Sequence, residues 1–227
     1  GKPVVLVLMN GSAMSVNWAD RKLPAIIEAW YPGGEGGDAV AQLIAGDFSP
    51  SGRLPLTFYR SADQLPAFAD YGMDGRTYRY SRAMPLYPFG HGLSYTRFSY
   101  GKPVLSAARV EVGQAVTLSV EVRNSGARAG DEVVQLYTSR PMPGAPVRTL
   151  WGFQRVSLQP GETKTLRFTV DARAMSLVGK DGNRAVEPGR VDLWVGGGQP
   201  VTRPGMAQAS GSRDSLIVEG RKPIPRF

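Results

Sequence analysis

Two acidic residues three positions apart, Glu35 and Asp38, follow a glycine-rich turn and stand where a helix should begin. Paired carboxylates are what glycoside hydrolysis needs, one to protonate the leaving group and one to act as nucleophile or base. The competing explanation is structural, because acidic side chains favour the positive end of a helix dipole. The same stretch, Gly34-Glu35-Gly36-Gly37-Asp38-Ala39, fits the G-x-G-x-x-A pattern of dinucleotide sites. The acidic residue that should close a second strand about twenty residues on is missing, since residues 47–59 are proline-rich instead. No Gly-Lys-Ser/Thr follows the glycines. A tight strand-to-helix turn that only glycine fits is therefore the better reading.

Asn10-Gly11-Ser12 follows an apolar run and superficially matches a nucleophile elbow, but the second glycine of G-x-S-x-G is absent. A serine relay would have to use His91, the one histidine, which lies in an aromatic-glycine turn far along the chain. The carboxyl ends of strands in α/β domains commonly face ligands. Asn10 and Ser12 are accordingly the candidate substrate-binding residues. Residues 70–80 are rich in aromatics and arginine, and serve equally as a sugar-contacting loop or as packed Arg–Tyr stacking. Trp151, Trp194 and Tyr137 suggest either a sugar-binding face or core packing, and large aromatics more often pack.

These residues need elements to hold them. Residues 3–9 form a continuous β-branched run of the kind a strand covered on both faces shows. A short helix is expected over 17–23, stopped by Pro24, then a second strand over 25–31 and a helix over 38–45 stopped by Gly46. Strand, crossover, strand, helix is parallel α/β grammar. Two strands are too few to close such a sheet, so the domain reads as incomplete, with its other strands expected before Gly1. Residues 47–96, with prolines at 50, 55, 66, 85 and 88, should form a long irregular connection with Leu54, Leu56 and Phe58 alternating inward. A connection of that length points to a bridging or functional role. From about Phe98 the period becomes two, as in Val116, Leu118, Val120 and Val122, and again in Val191, Leu193 and Val195. About seven short strands separated by turn signals predict an antiparallel β-sandwich. Residues 196–213 read as a loop, 216–218 as a last strand and 221–227 as a tail.

Composition excludes several classes. The net charge is +8, yet the basic residues are scattered, without a basic block or aromatic interleaving, so nucleic acid is not the expected partner. Without cysteine there is no disulfide, zinc-thiolate site or thiol catalysis in this chain, and one histidine leaves no His-based metal cluster. No apolar run reaches membrane-spanning length. No cofactor and no metal site are expected.

Five segments occur in an order that resembles one known family. They are Gly1-Lys2-Pro3-Val4-Val5, the run from Ala29 to Gly37 (AWYPGGEGG), the run from Gly46 to Pro55 (GDFSPSGRLP), Gly75-Arg76-Thr77-Tyr78-Arg79-Tyr80, and the run from Leu86 to Thr96 (LYPFGHGLSYT). Glu187-Pro188-Gly189 before a strand ending in Val195-Gly196 adds a sixth. Together they resemble the C-terminal part of a glycoside hydrolase family 3 enzyme, the family of β-glucosidases and β-xylosidases. The resemblance implies the later part of an α/β sandwich domain with its connecting segment over 1–96, a fibronectin type III-like β-sandwich over 97–220, and a tail over 221–227. It also implies a retaining exo-β-glycosidase acting on oligosaccharides or glycosides, leaning toward β-xylosidase. Its nucleophile aspartate and acid/base glutamate fall in motifs that match nothing here, so no catalytic residue is expected in this chain. The implied partner is the barrel-containing N-terminal portion of the same enzyme, with a homodimer as a further option, in a periplasmic or secreted setting. The alternative is a non-catalytic carbohydrate-binding or structural sandwich. The run from Pro88 to Thr96 is expected to act as a clasp between the two domains, not as a catalytic segment for its histidine.

Overall fold

The computed structural model describes residues 1–179 and 181–224. The first elements are β1 (Val5–Leu8), α1 (Asn17–Lys22), β2 (Ala25–Glu28) and α2 (Gly36–Ala45). β1 and β2 pair in parallel, Val5 opposite Ala25 through Leu8 opposite Glu28, and the Ala29 N–H adds one more bond to the Leu8 carbonyl at 2.9 Å. β2 stops earlier than the predicted residue 31 because Trp30 turns to a left-handed φ of 53°. α2 starts two residues before the predicted Asp38 and ends as expected on Gly46, which adopts φ 84°.

Residues 47–96 form a strap with little regular structure, containing a 3-10 turn at Ala62–Gln64 and the single-turn helix α3 (Thr77–Tyr80). The expected inward alternation fails at Leu56, which is 39% exposed while Phe58 is 1% exposed. A bend at Pro55 and Leu56 breaks the period. Leu54 is instead held through its backbone to Gly90 and His91, and Phe58 through its backbone to Leu86 and Tyr87.

The second half is the sandwich: β3 (Phe98–Tyr100), β4 (Val104–Leu105), β5 (Arg109–Glu111), β6 (Val116–Asn124), β7 (Gly130–Ser139), β8 (Thr149–Leu158), β9 (Thr163–Val170), β10 (Leu177–Val178), β11 (Arg184–Val186), β12 (Gly189–Gly196), β13 (Gly211–Glu219) and β14 (Lys222–Ile224). One sheet runs β5-β13-β12-β7-β8; the other carries β3 and β4 on one side of β6 and β9 on the other. All of its pairs are antiparallel except β13 with β5, which run parallel. The period-two residues of β6, β7, β12 and β13 interlock between the sheets with Phe168, Val170 and Met175 in one buried cluster. Burial at roughly 25 cal/mol per Å² of apolar surface makes this cluster the main source of stability.

Lys222–Ile224 is not a free tail: it pairs with β11 in a small sheet with β10, and Ile224 packs against the core. The remainder of the expected tail, 225–227, lies outside the described residues. The sandwich also departs from a simple inside-outside alternation. β7 buries Gln135 and Tyr137 on its outer face, and β12 buries Trp194. The strap lies across that face.

Candidate functional site

The carboxyl ends of β1 and β2 bring Asn10, Gly11, Ser12, Glu28, Trp30 and Tyr31 together. The Asn10 side-chain amide donates to the Ser12 carbonyl at 2.5 Å, closing the turn, while Ser12 is exposed. Asn10 Oδ1 is buried without a hydrogen-bond partner, and so is Glu28 Oε2. The other Glu28 oxygen accepts the Trp30 N–H at 3.1 Å, which holds the left-handed kink. Burial pushes the Glu28 carboxyl above its ordinary range, against the opposing pull of the Trp30 N–H and Asn10. The kink directs Trp30 edge-on to Phe58, with centroids 6.2 Å apart, and leaves Tyr31 77% exposed over Gly11. A Cβ on Gly11 would meet the Tyr31 ring at 2.8 Å, so the turn needs glycine for close approach. Asn10 and Ser12, the residues expected from the sequence, lie at this turn, and Glu28 beside them was not among the expected residues. Its signal was an acidic residue closing an otherwise apolar strand.

The other candidates lie elsewhere. Glu35 is the N-cap of α2 and Asp38 lies in its first turn; both are exposed. That is the dipole placement. In the 70–80 segment, Arg76 donates to the carbonyls of Ala67, Asp70 and Gly72, and Tyr78 stacks on Phe89 at 4.2 Å. Tyr71 projects almost fully from that stretch, at 91% exposed. Trp194 donates its indole N–H to the Gly198 carbonyl at 2.7 Å and is buried, as is Tyr137, while the half-buried Trp151 donates to the Thr169 carbonyl at 3.0 Å.

The run from Pro88 to Thr96, the last part of the strap, lies against the sandwich. Gln135 donates to the Gly90 carbonyl at 3.1 Å and Gln199 to the Phe89 carbonyl at 2.7 Å. Thr96 Oγ1 donates to Asn124 Oδ1 at 2.7 Å. Gly90 has φ 79°, and a Cβ there would lie 2.2 Å from Gln135 Oε1. Two inward ion pairs flank the run. Arg53 meets Glu132 at 2.8 Å, with side chains 9% and 5% exposed. Arg203 meets Asp20 at 2.6 Å, donates to the Leu86 carbonyl at 2.7 Å and lies over the Tyr87 ring. Tyr87 donates its hydroxyl to the same Asp20 oxygen at 2.6 Å. Burial works to raise the Asp20 carboxyl, but the bonds from Arg203 and Tyr87 and the charges of Arg203 and Arg60 outweigh it and hold it low. At Glu132 burial prevails over Arg53, and the carboxyl is raised. His91 stacks on Tyr87 at 5.4 Å, nearly parallel. Burial, reinforced by Arg53 and Arg203 and only partly opposed by Asp20, lowers its imidazole to about 4. The ring is therefore neutral near pH 7 and part of the packing.

Among the described residues, no cluster of three or more His, Cys, Asp or Glu side chains suits a metal ion. No described helix is long and apolar enough to cross a membrane.

Comparison with known proteins agrees with this architecture. Residues 1–95 match the glycosyl hydrolase family 3 C-terminal domain, and residues 132–199 match the fibronectin type III-like domain. A β-xylosidase of Formosa agariphila is 42% identical over 203 residues, covering 86% of this chain and 28% of its own length. A periplasmic β-glucosidase of Salmonella typhimurium is 39% identical over 210 residues, with the same coverage of 86% and 28%. Among solved structures, β-glucosidase 3B of Thermotoga neapolitana superposes with a TM-score of 0.85 at 27% identity, covering 99% of this chain and 32% of that one. A β-glucosidase of Erythrobacter marinus gives 0.80 at 36% identity, covering 95% and 28%. The chain thus spans about three-tenths of the length of these relatives. With its α/β unit, its strap and its sandwich in the family's order, the chain belongs to glycosyl hydrolase family 3 and carries that family's C-terminal domain joined to a fibronectin type III-like domain.

Proposed function

We propose that this chain completes the α/β domain of a retaining exo-β-glycosidase, a β-xylosidase or β-glucosidase, and braces it with the sandwich. The carrying observation is the two-stranded parallel sheet. Parallel strands are normally buried on both faces. Here Val5 of β1 is 37% exposed, the flanking Val4 and Met9 are 56% and 66% exposed, and among the described residues β1 pairs with β2 alone. A barrel-bearing portion of the same enzyme, with the remaining strands, would cover that surface.

In a retaining mechanism one carboxylate attacks the anomeric carbon and forms a glycosyl-enzyme while an acid protonates the departing oxygen. Water, deprotonated by that same group, then displaces the sugar. The two carboxyls stand about 5 Å apart in such enzymes. Glu35 and Asp38 point to solvent at a helix start, so we assign both catalytic roles to residues outside this chain. Asn10 and Ser12, at a strand carboxyl end, are the proposed substrate-side residues. The periplasmic relative supports a periplasmic or secreted setting. The alternative, a sandwich that binds sugar without hydrolysis, is disfavoured because Trp194 and Tyr137 are buried.

The test is the initial rate on aryl β-xylosides and aryl β-glucosides. The chain alone should release no phenol above background, and joined to the barrel-bearing portion it should turn over. Hydrolysis by the chain alone at the rate of the joined enzyme overturns the assignment. In the joined enzyme, Asn10→Ala should raise KM severalfold; an unchanged KM removes Asn10 from the substrate side.

A further inference from the structure

A cleft of about 370 Å³ lies between the strap and the loops at one end of the sandwich. Arg82 and Val147 also line an adjoining cleft of about 450 Å³. Arg148 lines the first cleft and donates from Nη1 to Gln199 Oε1 at 2.6 Å, a neutral acceptor. Among the described residues neither Arg148 nor Arg82 has an ion-pair partner. Thr57 lines the same cleft, and its hydroxyl is buried with no hydrogen-bond partner. Among the described residues, Asp74 is the only carboxylate lining either cleft, and its Oδ1 accepts the Gly75 N–H at 3.1 Å.

A half-buried guanidinium facing a neutral amide is an unbalanced arrangement, since desolvating a charge without a counter-charge is costly. Burial depresses the Arg148 guanidinium; Tyr137 opposes this, and Arg213 adds a second cation's repulsion. A planar guanidinium fork matches the geometry of an oxyanion, and Thr57 in the same cleft brings an unpaired hydroxyl.

We propose that this cleft binds an oxyanion, a carboxylate or phosphate group, with Arg148 as the inner anchor, Arg82 as the outer cation and the Thr57 hydroxyl as a further donor. The site lies apart from the Asn10 turn and does not depend on the glycosidase reading. A uronic acid carried on a saccharide and free phosphate present the same chemistry, and the experiment separates them.

The full chain is titrated calorimetrically at low ionic strength with sodium glucuronate, with inorganic phosphate and with glucose. Saturable binding of glucuronate or phosphate, and none of glucose, is expected, the tighter of the two naming the source of the anion. Arg148→Gln and Arg82→Gln should each weaken it at least tenfold, while Arg123→Gln, on the exposed face of β6, leaves it unchanged. Arg82 is exposed, so its variant keeps the test independent of folding. Absence of saturable anion binding overturns the proposal. So does binding that survives in both the Arg148 and Arg82 variants, or that the Arg123 variant loses equally.

Discussion

His91→Phe should remove a specific part of the protein's acid sensitivity. The imidazole titrates at 6.5 when free and at about 4 in the fold. Between those values the unfolded chain binds a proton that the folded chain refuses, so stability falls as pH drops through the window. Its contribution is fully retained above the unfolded value. By pH 5 the linkage integral gives a loss of about 2 kcal/mol, with a limit of about 3 kcal/mol in stronger acid. Glu28 and Glu132, whose carboxyls are raised, act with the opposite sign, favouring the fold as pH falls. Comparing protein and variant cancels those shared contributions. Phenylalanine keeps an aromatic ring to stack on Tyr87 and removes the proton. Urea unfolding followed by tryptophan fluorescence at pH 7.5 and pH 5 measures both. The protein should lose about 2 kcal/mol more than the variant between the two conditions. Equal losses would refute the claim that His91 is a neutral packing residue.

The remaining predictions concern the clasp. Arg53→Met strands the Glu132 carboxylate, whose side chain is 5% exposed, and should cost about 3–5 kcal/mol in denaturant unfolding. Adding Glu132→Leu should recover most of that, because replacing both members of a buried pair by apolar groups is often neutral. Arg203→Leu should cost about 3 kcal/mol by leaving Asp20 half-buried with only Tyr87 and the more distant Arg60 to offset its charge. Gly90→Ala meets both a left-handed backbone and the Gln135 side chain at 2.2 Å, and a loss of about 3 kcal/mol is expected in the same assay. An effect below 1 kcal/mol in any of the three single variants would show that the strap rests on the sandwich without being locked to it.

What was legible in the sequence was local. The alternation in β6 and β12 declares the sandwich because a half-buried strand repeats every two residues. The apolar run of β1 and the Gly46 stop of α2 are equally local signals. The clasp chemistry was not legible. Arg203 and Asp20 are 183 residues apart and Arg53 and Glu132 are 79 apart, so no spacing rule connects them. Trp30 gave no warning of its left-handed turn, which glycine would ordinarily supply. Leu56 misled because two residues of bend are enough to reverse an alternation read from sequence. The burial of Gln135 on the outer face of β7 had no local signal, because it comes from the strap laid over that face, whereas Tyr137 packs as large aromatics more often do.

The central claim is that this chain supports a glycosidase whose nucleophile lies elsewhere. Mechanism-based labelling tests it most directly. The joined enzyme is inactivated with a 2-deoxy-2-fluoro β-xyloside or β-glucoside, digested and read by mass spectrometry. The account predicts one glycosyl adduct on an aspartate outside residues 1–227 and none within them. An adduct on any carboxylate of this chain, Glu35 or Asp38 above all, would contradict it.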